Sequence, residues 1–135
     1  LYIDQECSVL DPGLTVFEQT ERFNASHLAE HELKSILNRY LFPYETWDKP
    51  CFCLSGGEKI RLLFCCLMIG NNAPDVFILD EPTNNLDIQS VEIITAAIKS
   101  YRGTVLLISH DHYFVKEIKI NRSIKLFDTG SVIKI

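Results

Sequence analysis

The segment LSGGEKIRLL, Leu54 to Leu63, sets a serine and two glycines at the mouth of an apolar run. A helix start presents free N–H groups and a positive dipole end, and glycines let a phosphate come close to that backbone. A serine-capped helix following a glycine turn would carry the same letters for structural reasons only. A second segment, VFILDEPTNNLD, runs through apolar residues to Asp80, and Glu81 follows. In a parallel sheet, ligands collect beyond the carboxyl ends of the strands. A carboxylate placed there can hold Mg²⁺ directly or through water. Adjacent strand residues face opposite ways, so Asp80 and Glu81 divide the work: one serves a metal, the other orients or deprotonates an attacking water. The plainer alternative is a solvated acidic strand end. A third segment, TVLLI, is followed by Ser109, His110 and Asp111. A histidine at the same sheet edge can bond a γ-phosphate oxygen or the attacking water.

These residues need a frame, and the hydrophobic pattern predicts one. Leu1 to Asp4 reads as the end of a strand and Asp11-Pro12-Gly13 as a turn. Thr15 is placed to cap a short helix reaching about Phe23. Ser26 is placed to cap a second, with Leu28, Leu33, Ile36, Leu37 and Leu41 near a helical period. Pro43 and Pro50 bound an irregular stretch holding Trp47. The helix opened by Ser55-Gly56-Gly57 is apolar nearly all round from Leu62 to Ile69, the pattern of a buried helix, and Gly70-Asn71-Asn72 ends it. Val76 to Leu79 reads as a central parallel strand covered on both faces, and Thr104 to Ile108 as a second buried strand. Between them Asp87 or Ser90 starts a helix with Val91, Ile94, Ile98 and Tyr101 on one face. Asp111 to about Lys119 forms a short helix, and Ser123–Phe127 with Val132–Ile135 a terminal hairpin. Helices alternating with strands predict a parallel α/β sheet.

Composition narrows the partners. An apolar fraction of 47% belongs to a folded domain, and the 135 residues make at most one domain. The net charge of -5, without any run of lysine or arginine, argues against a grip on nucleic acid. The longest apolar stretch, Leu62 to Gly70, is about half the length that crosses a bilayer, so direct membrane insertion is not expected. No basic and apolar leader is present at the start. Five cysteines, Cys7, Cys51, Cys53, Cys65 and Cys66, fit no zinc spacing and read as buried free thiols in a reducing compartment. The chain begins without Met inside an expected strand and is read as part of something longer.

Taken together, the segments resemble the ATP-binding cassette (ABC) ATPases. LSGGE resembles the ABC signature, VFILDE the Walker B strand with its catalytic glutamate, NNLD the D-loop and ISH the switch histidine; YIDQE resembles the Q-loop, with Gln5 at the glutamine position. The finer resemblance is to the ABC-F subfamily, whose signature commonly ends in Glu, here Glu58, and whose DEPTN-x-LD and SHD-x-x-F patterns match Asp80 to Asp87 and Ser109 to Phe114. Asn85 stands where that subfamily often has His, and His112 where it often has Arg. The LDPGLTVFEQ segment resembles the second cassette of such a protein more than the first.

The resemblance implies a partial P-loop NTPase fold: a parallel sheet core plus a helical signature subdomain, lacking the Walker A loop and the antiparallel β-subdomain. It divides the chain into a Q-loop at 1–10, a helical subdomain at 14–70, a core with Walker B, D-loop and switch at 74–120, and a terminal hairpin at 121–135. It implies ATP and Mg²⁺ at a composite site, where the signature of one cassette closes over nucleotide held by another. In that scheme Asp80 holds Mg²⁺ through water, Glu81 polarises the attacking water, His110 contacts the γ-phosphate, and Gln5 senses metal and water. Leu54, Ser55, Gly56, Gly57 and Glu58 form the signature that meets the opposite γ-phosphate, and Asp87 couples the two sites. No G-x-x-x-x-G-K-[ST] loop occurs in the 135 residues, so the chain by itself is expected to bind ATP poorly and not to hydrolyse it. ABC-F proteins are cytosolic and act on the ribosome, as translation factors or in antibiotic resistance. The ATPase subunit of a membrane transporter is the alternative, and Glu58 leans against it. A chromosome-maintenance or Rad50-like head is disfavoured by the short link without heptads between Gln5 and Leu54. A non-hydrolysing binding fragment is the alternative for the isolated chain, with self-association through its exposed sheet edge.

Overall fold

The structure, a computed structural model, describes residues 1–3, 7–70, 74–84, 86–126 and 132–134. Three strands, β1 (Tyr2–Ile3), β2 (Val76–Asp80) and β3 (Thr104–Ile108), form a parallel sheet in the order β1-β2-β3. Tyr2 pairs with Ile78, Ile78 with Leu106, and Asp80 with Ile108. The expected parallel α/β core is therefore present. Helices α1 (Val16–Phe23), α2 (Glu30–Arg39), α3 (Gly56–Ile69), α4 (Ile88–Ser100) and α5 (His112–Glu117) accompany it. Strands β4 (Ile124–Leu126) and β5 (Val132–Lys134) pair antiparallel as the terminal hairpin.

Helix α3 sits at the centre because its sequence leaves it no polar side. Leu62, Leu63, Cys65 and Cys66 are all fully buried, although they point in different directions round the helix. Phe64 meets Phe77 of β2 edge to face, and Phe77 in turn lies 4.2 Å from the Tyr101 ring after α4. Arg61 reaches from α3 to the end of α2, donating to the carbonyls of Tyr40 and Leu41 at 3.2 and 3.4 Å with its guanidinium 5.3 Å over Phe42. The stretch between Pro43 and Pro50 runs back along the entry to α1: Phe17 N–H donates to the Trp47 carbonyl and Val16 N–H to that of Lys49, both at 3.0 Å. Trp47 is buried and donates its indole N–H to the Phe42 carbonyl at 2.9 Å.

Thr15 caps α1 as expected, within a reciprocal box with Glu18. The second helix starts later than Ser26. Asn24 bonds both the N–H and the C=O of Leu28, and this holds the chain in a loop. Residue Ala29 is the cap, and Glu32 accepts from its N–H at 2.8 Å. Leu41 lies beyond the helix with a positive φ of 61°.

The sheet departs from expectation in its covering. Phe77 and Leu79 are buried, but Val76 on the other face is 41% exposed, so β2 is covered on one side only. Strand β3 is an edge among the described residues, with Leu106 and Ile108 52% and 50% exposed. An unbroken apolar run predicts burial on both faces, and here no described element lies over the Leu106 face. The cysteine reading needs one change: Cys7, Cys51, Cys65 and Cys66 are buried, whereas Cys53 is exposed.

Candidate functional site

Strand β2 carries Asp80 to the carboxyl edge of the sheet, level with Ile108. Asp80 faces the open side, the same side as Tyr2, whose hydroxyl donates to Asp80 Oδ2 at 3.2 Å. Glu81 is no longer in the strand. Its φ is +47°, a left-handed conformation that non-glycine residues seldom adopt, and its N–H donates to the Ile108 carbonyl at 2.8 Å. The two carboxylates do face different ways, but this sharp turn after β2 produces the difference rather than simple strand alternation.

The turn aims Glu81 at the end of the neighbouring strand. Glu81 Oε1 lies 2.8 Å from His110 Nδ1. The hydrogen bond to Glu81 and then its negative charge raise the His110 imidazole above its ordinary range. Asp111 fixes the chain just beyond: its Oδ1 accepts from the N–H groups of Tyr113 and Phe114 and so caps α5. Glu81 Oε2 is buried and has no hydrogen-bond partner. A buried unpartnered acceptor costs roughly 1–3 kcal/mol, more when charged, and strain or orphaned groups of this kind gather at working sites. The arrangement leaves one carboxylate oxygen held by a histidine and the other buried without a partner.

The start of α3 is organised differently. Ser55 Oγ accepts from Glu58 N–H at 3.2 Å and Glu58 Oε2 accepts from Ser55 N–H at 2.7 Å, a reciprocal capping box. Lys49 Nζ holds the same carboxylate at 3.1 and 3.2 Å. Burial pushes the Glu58 carboxyl up, but the hydrogen bonds from Ser55 and Lys49 outweigh it and the net direction is down. Glu58 is thus occupied in holding the helix start. Leu54 is buried and anchors the turn with its side chain. That leaves the amides of Gly56 and Gly57, first-turn groups without intrahelical acceptors. A Cβ on Gly56 would meet nothing within 4 Å, so a ligand can approach there.

Asp87 caps α4: its Oδ1 accepts from Ser90 N–H at 2.9 Å and its Oδ2 from the Ser90 hydroxyl at 2.7 Å. Gln5 lies outside the described residues. Two residues that sequence reasoning did not single out now enter, Tyr2 against Asp80 and Leu86, whose Cδ2 would be 2.9 Å from a Cβ on Gly57. Leu86 is the leucine of the DEPTN-x-LD pattern and Tyr2 opens the YIDQE segment, but neither contact is legible there, since each joins segments far apart in the chain.

Among the described residues no group of three or more His, Cys, Asp or Glu side chains is placed to hold a metal ion. Asp80 by itself suits Mg²⁺ that arrives with phosphates and keeps its waters, which is how this ion is commonly bound. Two surface concavities lie along α4, one lined by Arg39, Tyr40 and Ile93 and another by Glu92, Lys99 and Tyr113. Neither contains Glu81, His110 or the start of α3. The candidate chemistry lies on an open sheet edge.

The sequence profile of the family described as "ABC transporter" matches residues 1–84. ABC transporter F family member 5 of Arabidopsis thaliana is 42% identical over 128 residues, 94% of this chain and 18% of that protein. The probable ATP-binding protein YbiT of Escherichia coli O157:H7 is 43% identical over 105 residues, 78% of this chain and 19% of that protein. The chain thus spans under a fifth of the length of these curated relatives. Among solved structures, a dimeric ATP-binding cassette in a post-hydrolysis state bound to ADP and Pi superposes with a TM-score of 0.70 at 22% identity, covering 98% of this chain and 61% of that one. At that identity the likeness speaks for the fold. The family profile, the relatives and the fold agree with the LSGGE, VFILDE and ISH segments: the chain belongs to the ABC transporter family, in its ABC-F branch.

Proposed function

We propose that this chain supplies the signature and the hydrolytic sheet edge of one cassette in an ABC-F ATPase, and that ATP is split at a composite site closed by two cassettes. The observation that carries the reading is the Glu81–His110 pair, with Oε1 held at 2.8 Å by the imidazole and Oε2 buried without a partner. Glu81 accepts a proton from, or orients, the attacking water, and His110 keeps the carboxylate aimed. Asp80 holds Mg²⁺ through water, and the ion neutralises charge on the phosphates. Gln5 contributes to sensing metal and water. Ser55, Gly56 and Gly57 serve the nucleotide of the opposite cassette, the amides of the two glycines facing its γ-phosphate. Asp87 makes the coupling contact between cassettes from the cap of α4.

The 135 residues hold no phosphate-cradling G-x-x-x-x-G-K-[ST] loop. By itself the chain accordingly binds ATP weakly and does not turn it over. In the full-length protein Glu81→Gln should lower turnover by about 10²–10⁴-fold while ATP-dependent closure of the cassettes is retained. Turnover at the wild-type rate would overturn the catalytic assignment.

The ABC-F relationship points to the ribosome as the partner of the whole protein, in translation or in antibiotic resistance. Cosedimentation of the Glu81→Gln protein with ribosomes in the presence of ATP tests this. ATP-driven closure without ribosome binding would remove the ribosomal role and leave the ATPase.

A further inference from the structure

The two glycines at the start of α3 have different surroundings. Space is open around Gly56, but a Cβ on Gly57 would fall 2.9 Å from Leu86 Cδ2, closer than real Cβ contacts come. Leu86 is half-buried and packs against the hydrophobic core. It belongs to a turn stitched by short-range bonds: Asn84 N–H to the Glu81 carbonyl at 3.1 Å, and Leu86 N–H to the Thr83 carbonyl at 3.2 Å. Asp87 follows and caps α4. Glu81 stands at one end of this turn and the α4 cap at the other. Leu86 is the side chain that seats the turn against the start of α3.

We propose that Leu86 is a positioning residue that seats the segment between Glu81 and the α4 cap on the first turn of α3, and that residue 57 is glycine to admit Leu86 as well as to present its amide. Its effect on turnover rests on the ATPase reading above; the packing itself does not.

The test is a double-mutant cycle in the full-length protein, read in the urea unfolding midpoint and in ATP turnover. Gly57→Ala pushes the Leu86 side chain out of its place, and Leu86→Ala makes room for the added methyl. The pair should therefore be non-additive, the double variant recovering roughly tenfold in turnover over Gly57→Ala. Gly56→Ala combined with Leu86→Ala should be additive. At a temperature where every variant is folded, Leu86→Ala should lower kcat by about tenfold with KM for ATP unchanged, because Leu86 does not touch the ligand. Leu86→Met, which conserves volume, should restore kcat.

Additive effects of Gly57→Ala and Leu86→Ala on the unfolding midpoint would refute the packing. Non-additive midpoints with wild-type kcat in Leu86→Ala would refute the positioning role. A wild-type protein without ATP turnover would instead remove the ATPase reading, and the midpoints would still decide whether Leu86 is the reason for Gly57.

Discussion

Glu81 and His110 form a charge-assisted pair on a surface where such pairs are usually weak, because the imidazole is largely open to water. Its value is in orientation rather than stability. Glu81 raises the His110 pKa above its usual 6.5, so the pair contributes to stability in full below the pKa of the unfolded histidine. That contribution is lost as pH rises through the higher folded value. An NMR titration of the full-length protein should therefore place His110 above an unpaired histidine, and Glu81→Gln should bring it back down. An unchanged titration in Glu81→Gln would mean that the 2.8 Å contact is not the cause. The same carboxylate leaves Oε2 unpartnered.

Helix α3 shows how one element serves both packing and chemistry. Ile60 to Cys66 of its body are buried, Met68 near its end is exposed, and its first turn opens to solvent at Gly56. Ser55→Ala removes the cap and should lower stability by about 1 kcal/mol. Leu63→Ala, at a fully buried position in the same helix, should cost about 2–5 kcal/mol. Urea denaturation measures both, and equal losses would show that the helix is not the core element described above. Burial also raises the thiols it carries, Cys65 to about 12 and Cys66 well above its ordinary value. With Cys51 pushed up to about 11 by burial and Cys7 also buried, a thiol reagent should modify Cys53 quickly in the native chain. The other four should react only on unfolding. Fast modification of more than one thiol would place a second cysteine at the surface.

The whole molecule has a sheet with one finished face. Helices cover Phe77 and Leu79, while Val76, Leu106 and Ile108 remain exposed around Asp80 on the other side. An open apolar sheet face with an unpaired edge favours association. The 135-residue chain should therefore show a mass that rises with concentration in sedimentation velocity, and Leu106→Lys should suppress the rise. A monomer at every concentration would show that this face is tolerated in water. No described helix is long and apolar enough to cross a membrane.

Local chemistry made much of this legible in the sequence. Thr15, Ser55, Asp87 and Asp111 cap helices because each short oxygen side chain reaches the amides of the next turn, an effect confined to neighbouring residues. The all-round apolar run from Leu62 marks α3 as central for the same local reason. The motifs LSGGE and VFILDE likewise point to phosphate chemistry from residue type and spacing. Other features depend on contacts between segments far apart in the chain. Ala29 rather than Ser26 starts α2 because Asn24 binds Leu28. The Leu106 side of β3 is open because nothing described packs over it. Glu81 meets His110, Tyr2 meets Asp80, and Leu86 fills the space at Gly57 because strand pairing and helix packing bring them together. A periodic pattern tells which side of an element is apolar, but not which element covers it. That is decided when the sheet and helices are assembled and their side chains compete for the same volume.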